Sequence, residues 1–218
     1  MMEMKTVFRA VWTPVILLML SACTLDTAGL TGGSGSVSRA PRTVTLPATG
    51  ITVAGPSGFC VDPDSVRDSA EGGFALLGNC TGLSGGHNPA LKGKTAVLTL
   101  SVSGLLAEGE ALDLPSVEAF FNSETGRKAL SRSGSANTVT LIESGVDATH
   151  LWLHARDTAP TMLAGQGDEY WRALFVLNGR LVTVTATPFA EAPMSSDRLH
   201  SLLERFVSDL ERRNRRQT

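Results

Sequence analysis

Most of the residue patterns by which a sequence declares its chemistry are missing here. Aromatic residues make up 6% of the 218 residues, with a single tyrosine. No aromatic cluster and no long apolar run follows Cys23, so composition marks no partner surface. Charge is scarce and nearly balanced: 18% of residues are charged and the formal net charge is −2 at pH 7. A chain of that charge lacks the basic excess by which phosphate backbones are gripped, so nucleic acid is not an expected partner. There is no DKTG-type aspartate for phosphoryl transfer and no series of apolar helices in which an ion path could run. No internal repeat is present. Cysteines number only three, and an odd count in an exported chain leaves one to be explained.

What is present begins at the amino terminus. Lys5 and Arg9 stand against Glu3, an apolar run ends at Leu20, and the small residues Ser21 and Ala22 follow. This is the three-part pattern of a secretory signal, expected over residues 1–22. The run falls short of the roughly 20 residues a spanning helix needs, and Pro14 interrupts it. Leu20, Ser21, Ala22 and Cys23 resemble a bacterial lipobox, in which the cysteine thiol takes a diacylglyceryl group. Lipidation of Cys23 would account for the odd cysteine and leave Cys60 and Cys80 as a pair. In an oxidising envelope that pair can close a loop of about 20 residues, worth roughly 3 kcal/mol in the chain-entropy picture. Thr24 follows the cysteine where enteric-type sorting reads aspartate as inner-membrane retention, so the resemblance points to the outer membrane.

Residues 27–42 are rich in Gly and Ser with no apolar period, the composition of a flexible tether. From Thr24 to Arg42 it can hold a folded body about 25 Å from the bilayer. The expected organisation is a signal peptide over 1–22, a lipidated tether over 23–42 and one domain over 43–218. Within the domain, "RTVTL", "GITVAG", "TAVLTLSVSG", "NTVTLIES", "THLWLHA", "YWRALFVL" and "RLVTVTAT" alternate with period two and predict strands. Asn178 and Gly179 predict a two-residue type I′ hairpin turn. A second hairpin is expected through "GVD" at 145–147. Leu199, Leu202, Leu203, Phe206, Val207 and Leu210 form one helical stripe begun at Ser195 or Ser196. "LPSVEAFFNSETGRKAL" predicts a helical segment with Pro115 in its first turn and a break or restart at Gly126. Strands followed by helices on one chain predict an α+β fold, an antiparallel sheet packed by helices.

"FVLNGRLVTVTATPF" followed by a terminal amphipathic helix is similar to the end of the PsbP-like sandwich, a fold of exported bacterial lipoproteins and accessory photosystem proteins. The resemblance covers about half the chain and implies fold more than function. The patterns "GFCVDP" and "GFALLGNC" resemble a group of short bacterial envelope lipoproteins, sometimes labelled cation transport ATPase.

Several short motifs carry formal chemistry. Gly82, Leu83, Ser84, Gly85 and Gly86 match the nucleophile elbow G-x-S-x-G, which works when a helix leaves the serine. Here His87, Asn88 and Pro89 continue a loop, so a Gly-rich loop is expected. "KGKT" at 92–95 resembles the end of a phosphate loop, yet Asn88 stands where the first glycine belongs and a strand follows. His150 and His154 would be paired zinc ligands on a helix. On the predicted strand they share a face with Trp152, too far apart for an easy common ion. Asp62, Asp64, Asp68 and Glu71 are acidic enough for calcium but lack the alternation and central glycine of a calcium loop. The tail "ERRNRRQT" places four arginines in the last seven residues, while the rest of the chain from Cys23 has 13 Lys and Arg against 20 Asp and Glu. Such a cluster can touch anionic lipid; complementing the negative end of the final helix is the preferred reading.

The expectation is a membrane-anchored periplasmic lipoprotein, a non-catalytic binding or assembly-support module of the cell envelope. It needs no cofactor, reaches the membrane through Cys23, and meets an envelope protein or ligand as its further partner. The alternatives are an envelope serine hydrolase using Ser84 and a metal-binding protein using His150 and His154.

Overall fold

The computed structural model describes residues 39–86, 95–107, 111–161 and 163–215, which belong to one compact unit, Val37–Thr218. The expected signal peptide, Cys23 and most of the expected tether lie outside the described residues, as do His87 and residues 92–94 of the "KGKT" stretch.

The chain opens with a hairpin, β1 (Thr43–Leu46) paired to β2 (Ile51–Ala54). Next come β3 (Phe59–Val61), β4 (Arg67–Ser69), β5 (Gly72–Asn79), the short helix α1 (Cys80–Leu83) and β6 (Ala96–Leu105). Two helices follow, α2 (Leu114–Asn122) and α3 (Glu124–Leu130). The strands β7 (Val139–Val146), β8 (His150–Asp157), β9 (Glu169–Leu177) and β10 (Arg180–Pro188) lead to α4 (Ser196–Asn214). Strands β3 to β10 make one antiparallel sheet in the order β3-β5-β6-β10-β9-β8-β7, with β4 beside β3 along the same edge of β5. The architecture is therefore α+β, an antiparallel sheet packed by helices, as the sequence pattern implied.

Period-two alternation divides the sheet into two buried faces. Val182, Val184 and Ala186 of β10, Trp171, Ala173 and Phe175 of β9, and Leu98, Leu100 and Val102 of β6 point to one side. That side is covered by the α4 stripe from Leu199 to Leu210 and by Leu46, Ile51 and Val53 of the first hairpin. Each large side chain buried there adds roughly 1.5–3 kcal/mol over its exposed state. The intervening residues Leu151 and Leu153 of β8 and Leu174 of β9 face the other side, where Leu114, Phe121 and Leu130 of α2 and α3 cover them. Strands β8 and β9 are thus sandwiched between helices, which explains their near-continuous burial.

The Asn178–Gly179 turn forms with both residues at positive φ, 52° and 74°, as the type I′ geometry requires. Three local expectations need correction. The β7–β8 turn lies at 147–149, because Gly145 and Val146 remain paired to Trp152 and Leu151. The break between α2 and α3 falls at Ser123, whose hydroxyl accepts from the Gly126 amide at 3.1 Å and starts the second helix. Gly126 sits inside that first turn because a Cβ there would lie 2.0 Å from the Phe120 carbonyl oxygen. Strands β3, β4 and β5 were not foreseen, since β3 and β4 are three residues each and "GGFALLGN" of β5 has glycines at three of eight positions and no clean alternation.

Candidate functional site

The richest cluster of functional side chains lies between β8, β9 and α4. Alternation on β8 turns His150, Trp152 and His154 toward α4, and the β8–β9 register sets His154 opposite Trp171, Trp152 opposite Ala173 and His150 opposite Phe175. Ala173 leaves room for the Trp152 indole. Into this row α4 inserts His200, stacked on Trp171 at 4.1 Å between ring centroids and meeting Trp152 edge-on at 5.2 Å. His154 stacks on the other side of the arrangement, 4.7 Å from Trp171 and nearly parallel to it. His150 meets the Phe175 ring at 5.3 Å. Three of the four histidines and two of the three tryptophans in the chain are joined in one ring stack.

Nearly every polar atom of the stack is used. The Trp171 indole N–H donates to Ser196 Oγ at 2.9 Å, and that of Trp152 donates to Asp147 Oδ2 at 2.9 Å. His154 Nε2 lies 2.8 Å from Glu169 Oε1, and Arg156 donates to Glu169 Oε2 at 2.8 Å. The Arg156 bond, joined by His154 and opposed by burial, holds the Glu169 carboxyl below the ordinary range. Burial would raise Asp147, but bonds from Trp152, the Thr149 and His150 amides and the His150 ring outweigh it, and the carboxyl is held far below its usual value. His200 Nε2 is buried with no partner among the described residues.

Thr149 Oγ1, His150 and Glu211 superficially trace a nucleophile, base and orienter, with Thr149 Oγ1 3.0 Å from His150 Nδ1 and Glu211 Oε1 2.9 Å from Nε2. Both Asp147 carboxylate oxygens also face Nδ1, at 3.1 and 3.2 Å. Thr149 Oγ1 therefore shares Nδ1 with the Asp147 carboxylate, and both ring nitrogens of His150 face carboxylates of the protein itself. The stack ties α4 to the sheet, through His200 against Trp171 and Trp152 and through Glu211 against His150. His150 and His154 serve separate carboxylates, and among the described residues no group of three or more His, Cys, Asp or Glu side chains is placed to hold a metal ion.

A second feature lies at the far end of α4. Thr49, Gly50, Thr52, Leu105, Asn178, Arg180, Arg213, Asn214 and Arg215 line an open cavity of about 410 Å³. Arg180 continues the inward-facing series of Val182, Val184 and Ala186, but at the sheet's end, beside a bulge where Ser103 and Gly104 oppose Leu181 alone. Its side chain is 6% exposed and donates to the carbonyls of Ser103 at 2.9 Å, Ala70 at 3.3 Å and Ala48 at 3.5 Å. Asn214 locks the helix end to β2 by accepting from the Thr52 amide and donating to the Thr52 carbonyl, both at 2.8 Å. This cavity escaped the sequence reading. The available signal was an arginine in phase with the valines of "RLVTVTA".

No family model matches the chain, and no curated protein matches it significantly. It is similar to one solved structure, the solution structure of cyanobacterial PsbP from Synechocystis sp. PCC 6803. Identity is 14%, with 83% of this chain and 94% of that chain covered, at a TM-score of 0.39. A superposition that loose carries no argument, and the architecture described above rests on this chain's own strand pairing.

The other sequence candidates fall as follows. Cys60 in β3 and Cys80 at the start of α1 form a disulfide, with Cα atoms 4.8 Å apart. Ser84 terminates α1, so a helical turn and not a strand leads into it, and no hydrogen bond joins its hydroxyl to a histidine among the described residues. Asp62 caps a single 3₁₀ turn through the Asp64 amide at 3.1 Å. Asp68 accepts from the amides of Ala48 and Thr49 at 2.6 and 3.1 Å. These acids serve turns. Asp157 is fully buried and steadies the loop at Arg132 and Ala159, not a histidine. In the tail, Arg212 and Arg213 do lie in the last turn of α4, yet Arg213 and Arg215 also line the cavity.

Proposed function

We propose that this chain is a lipid-anchored, non-catalytic binding module of a bacterial cell envelope, tethered through Cys23 and facing the periplasm from the outer membrane. The observation that carries the reading is the Cys60–Cys80 disulfide. Such a bond persists in oxidising compartments, and it leaves Cys23 as the odd cysteine, at the end of a leader with lipobox character. The resemblance of "GFCVDP" and "GFALLGNC" to short envelope lipoproteins agrees with this. Among the described residues no helix is long and apolar enough to cross a membrane, so attachment would fall to the amino terminus. An open cavity lined by polar and cationic groups, together with a ring stack whose polar atoms are largely committed to structure, supports binding over turnover.

The test is intact mass on detergent-extracted protein expressed with its own leader, beside the Cys23→Ser variant. The expected product starts at Cys23, carries acyl chains and lacks the two hydrogens of one disulfide, while Cys23→Ser carries none and leaves the outer-membrane fraction. An unacylated wild-type mass, or a mature chain beginning elsewhere, would overturn the anchor.

A further inference from the structure

We propose that the cavity at the carboxy-terminal end of α4 binds a phosphate group, recognised by Arg180, Arg213 and Arg215 together. The inference rests on the binding-module reading and supplies its ligand class. Three guanidinium side chains line one cavity, and no carboxylate does among the described residues. Asp68, which meets the cavity's Thr49, is bound to the Ala48 and Thr49 amides and forms no ion pair with any of the three among the described residues. Arg180 is the anomaly that needs explaining. It is buried on the core side of the sheet, its acceptors are all backbone carbonyls, and it forms no ion pair among the described residues. A buried charge without a counter-ion is costly, and gathering two further cations beside it adds repulsion. An anion reverses both terms at once.

The donors fit an oxyanion. Guanidinium groups present fixed pairs of N–H bonds that match phosphate oxygens two at a time, and the bonds Arg180 makes among the described residues use its two terminal nitrogens and not Nε. Arg213 and Arg215 make no side-chain hydrogen bond or ion pair among the described residues, so both can turn toward a ligand. Asn178 and Thr52 offer neutral polar groups on the same wall. The negative end of α4 opposes an anion, but it amounts to about half a charge against three. Its last carbonyls are also partly occupied, Leu210 by the Asn214 side chain and Glu211 by the Arg215 amide. At about 410 Å³ the cavity exceeds a bare phosphate, leaving room for the rest of an organic phosphate, and Leu105, 69% exposed, gives the wall an apolar edge. The phosphate can arrive free or as a lipid headgroup.

The experiment uses the full chain with Cys23→Ser in neutral detergent, so that its own lipid cannot interfere. It compares this protein with the same chain carrying Arg213→Gln and Arg215→Gln, exposed positions whose replacement leaves the core intact. Inorganic phosphate is titrated calorimetrically, and mixed micelles with phosphatidylglycerol are compared with micelles of phosphatidylcholine alone. Saturable phosphate binding that weakens by about tenfold or more in the double variant supports the site. If binding appears only with phosphatidylglycerol and is lost in the double variant, the site stands and the headgroup is the source. Absence of binding to both probes, or binding that the double variant leaves unchanged, overturns the proposal. Neither result bears on acylation of wild-type Cys23, so failure of the site and failure of the anchor are read separately.

Discussion

Removing the Asn214 side chain should release the end of α4 from the first hairpin. Asn214 acts as a surrogate strand partner, since its amide pairs with both backbone groups of Thr52 on β2, 162 residues away in sequence, and also donates to the Leu210 carbonyl at 2.7 Å. Asn214→Ala leaves the Thr52 N–H and C=O without that partner. Each unsatisfied buried group costs about 1–3 kcal/mol, and Thr52 is half-buried, so water recovers part of the loss. A total of about 2–3 kcal/mol is expected. For a domain of this size that corresponds to a fall in Tm of roughly 4–12 °C. Asn214→Asp should be worse than alanine, because a carboxylate oxygen would then face the carbonyls of Thr52 and Leu210. Chemical denaturation followed by tryptophan fluorescence reads both variants, since Trp152 and Trp171 lie in the core between the sheet and α4. An alanine variant within about 0.5 kcal/mol of wild type, the range of ordinary surface changes, or an aspartate variant more stable than alanine, would refute the reasoning.

Two further outcomes follow from the same structure. Replacing Cys60 and Cys80 together by alanine should cost about 3 kcal/mol under oxidising conditions, from the entropy of the 20-residue separation the bond closes; equal denaturation midpoints for the oxidised wild type and the variant would contradict that. The carboxyls of Asp147, Asp157 and Glu169 are held below their ordinary values in the folded chain, so the unfolded chain binds protons more readily. Their stabilisation is therefore complete above about pH 5 and is lost as pH falls below about 4, through the unfolded and then the folded values. Asp147→Asn should flatten this acid limb in a series of melts, and an unchanged limb would remove Asp147 from the account.

How much could be read in advance depended on the range of the interaction. The strands β6 to β10 were visible because alternation is written residue by residue along each strand, and the Asn178–Gly179 turn because positive φ is a property of those two residues. Strand β5 was hidden by its glycines and β3 and β4 by their three-residue length, and the division between α2 and α3 was misplaced because Ser123 serves both helix ends while Gly126 answers a close approach by Phe120 that no local pattern records. His150 and His154 were correctly put on one face of a strand with Trp152, yet their separate carboxylate partners, Glu211 on α4 and Glu169 on β9, could not be assigned.

By itself the sequence determined the odd cysteine, the period-two strands and the apolar stripe of α4, all of which follow from short-range periodicity and composition. The tertiary structure decided what those elements do together. It brought His200 between two tryptophans, closed Cys60 on Cys80, and set Arg180 of a sheet end beside Arg213 and Arg215 of a helix end. Each of these depends on which face of α4 meets the sheet and where the helix stops, and that choice is made by burial of the whole apolar stripe, not by any residue in the site.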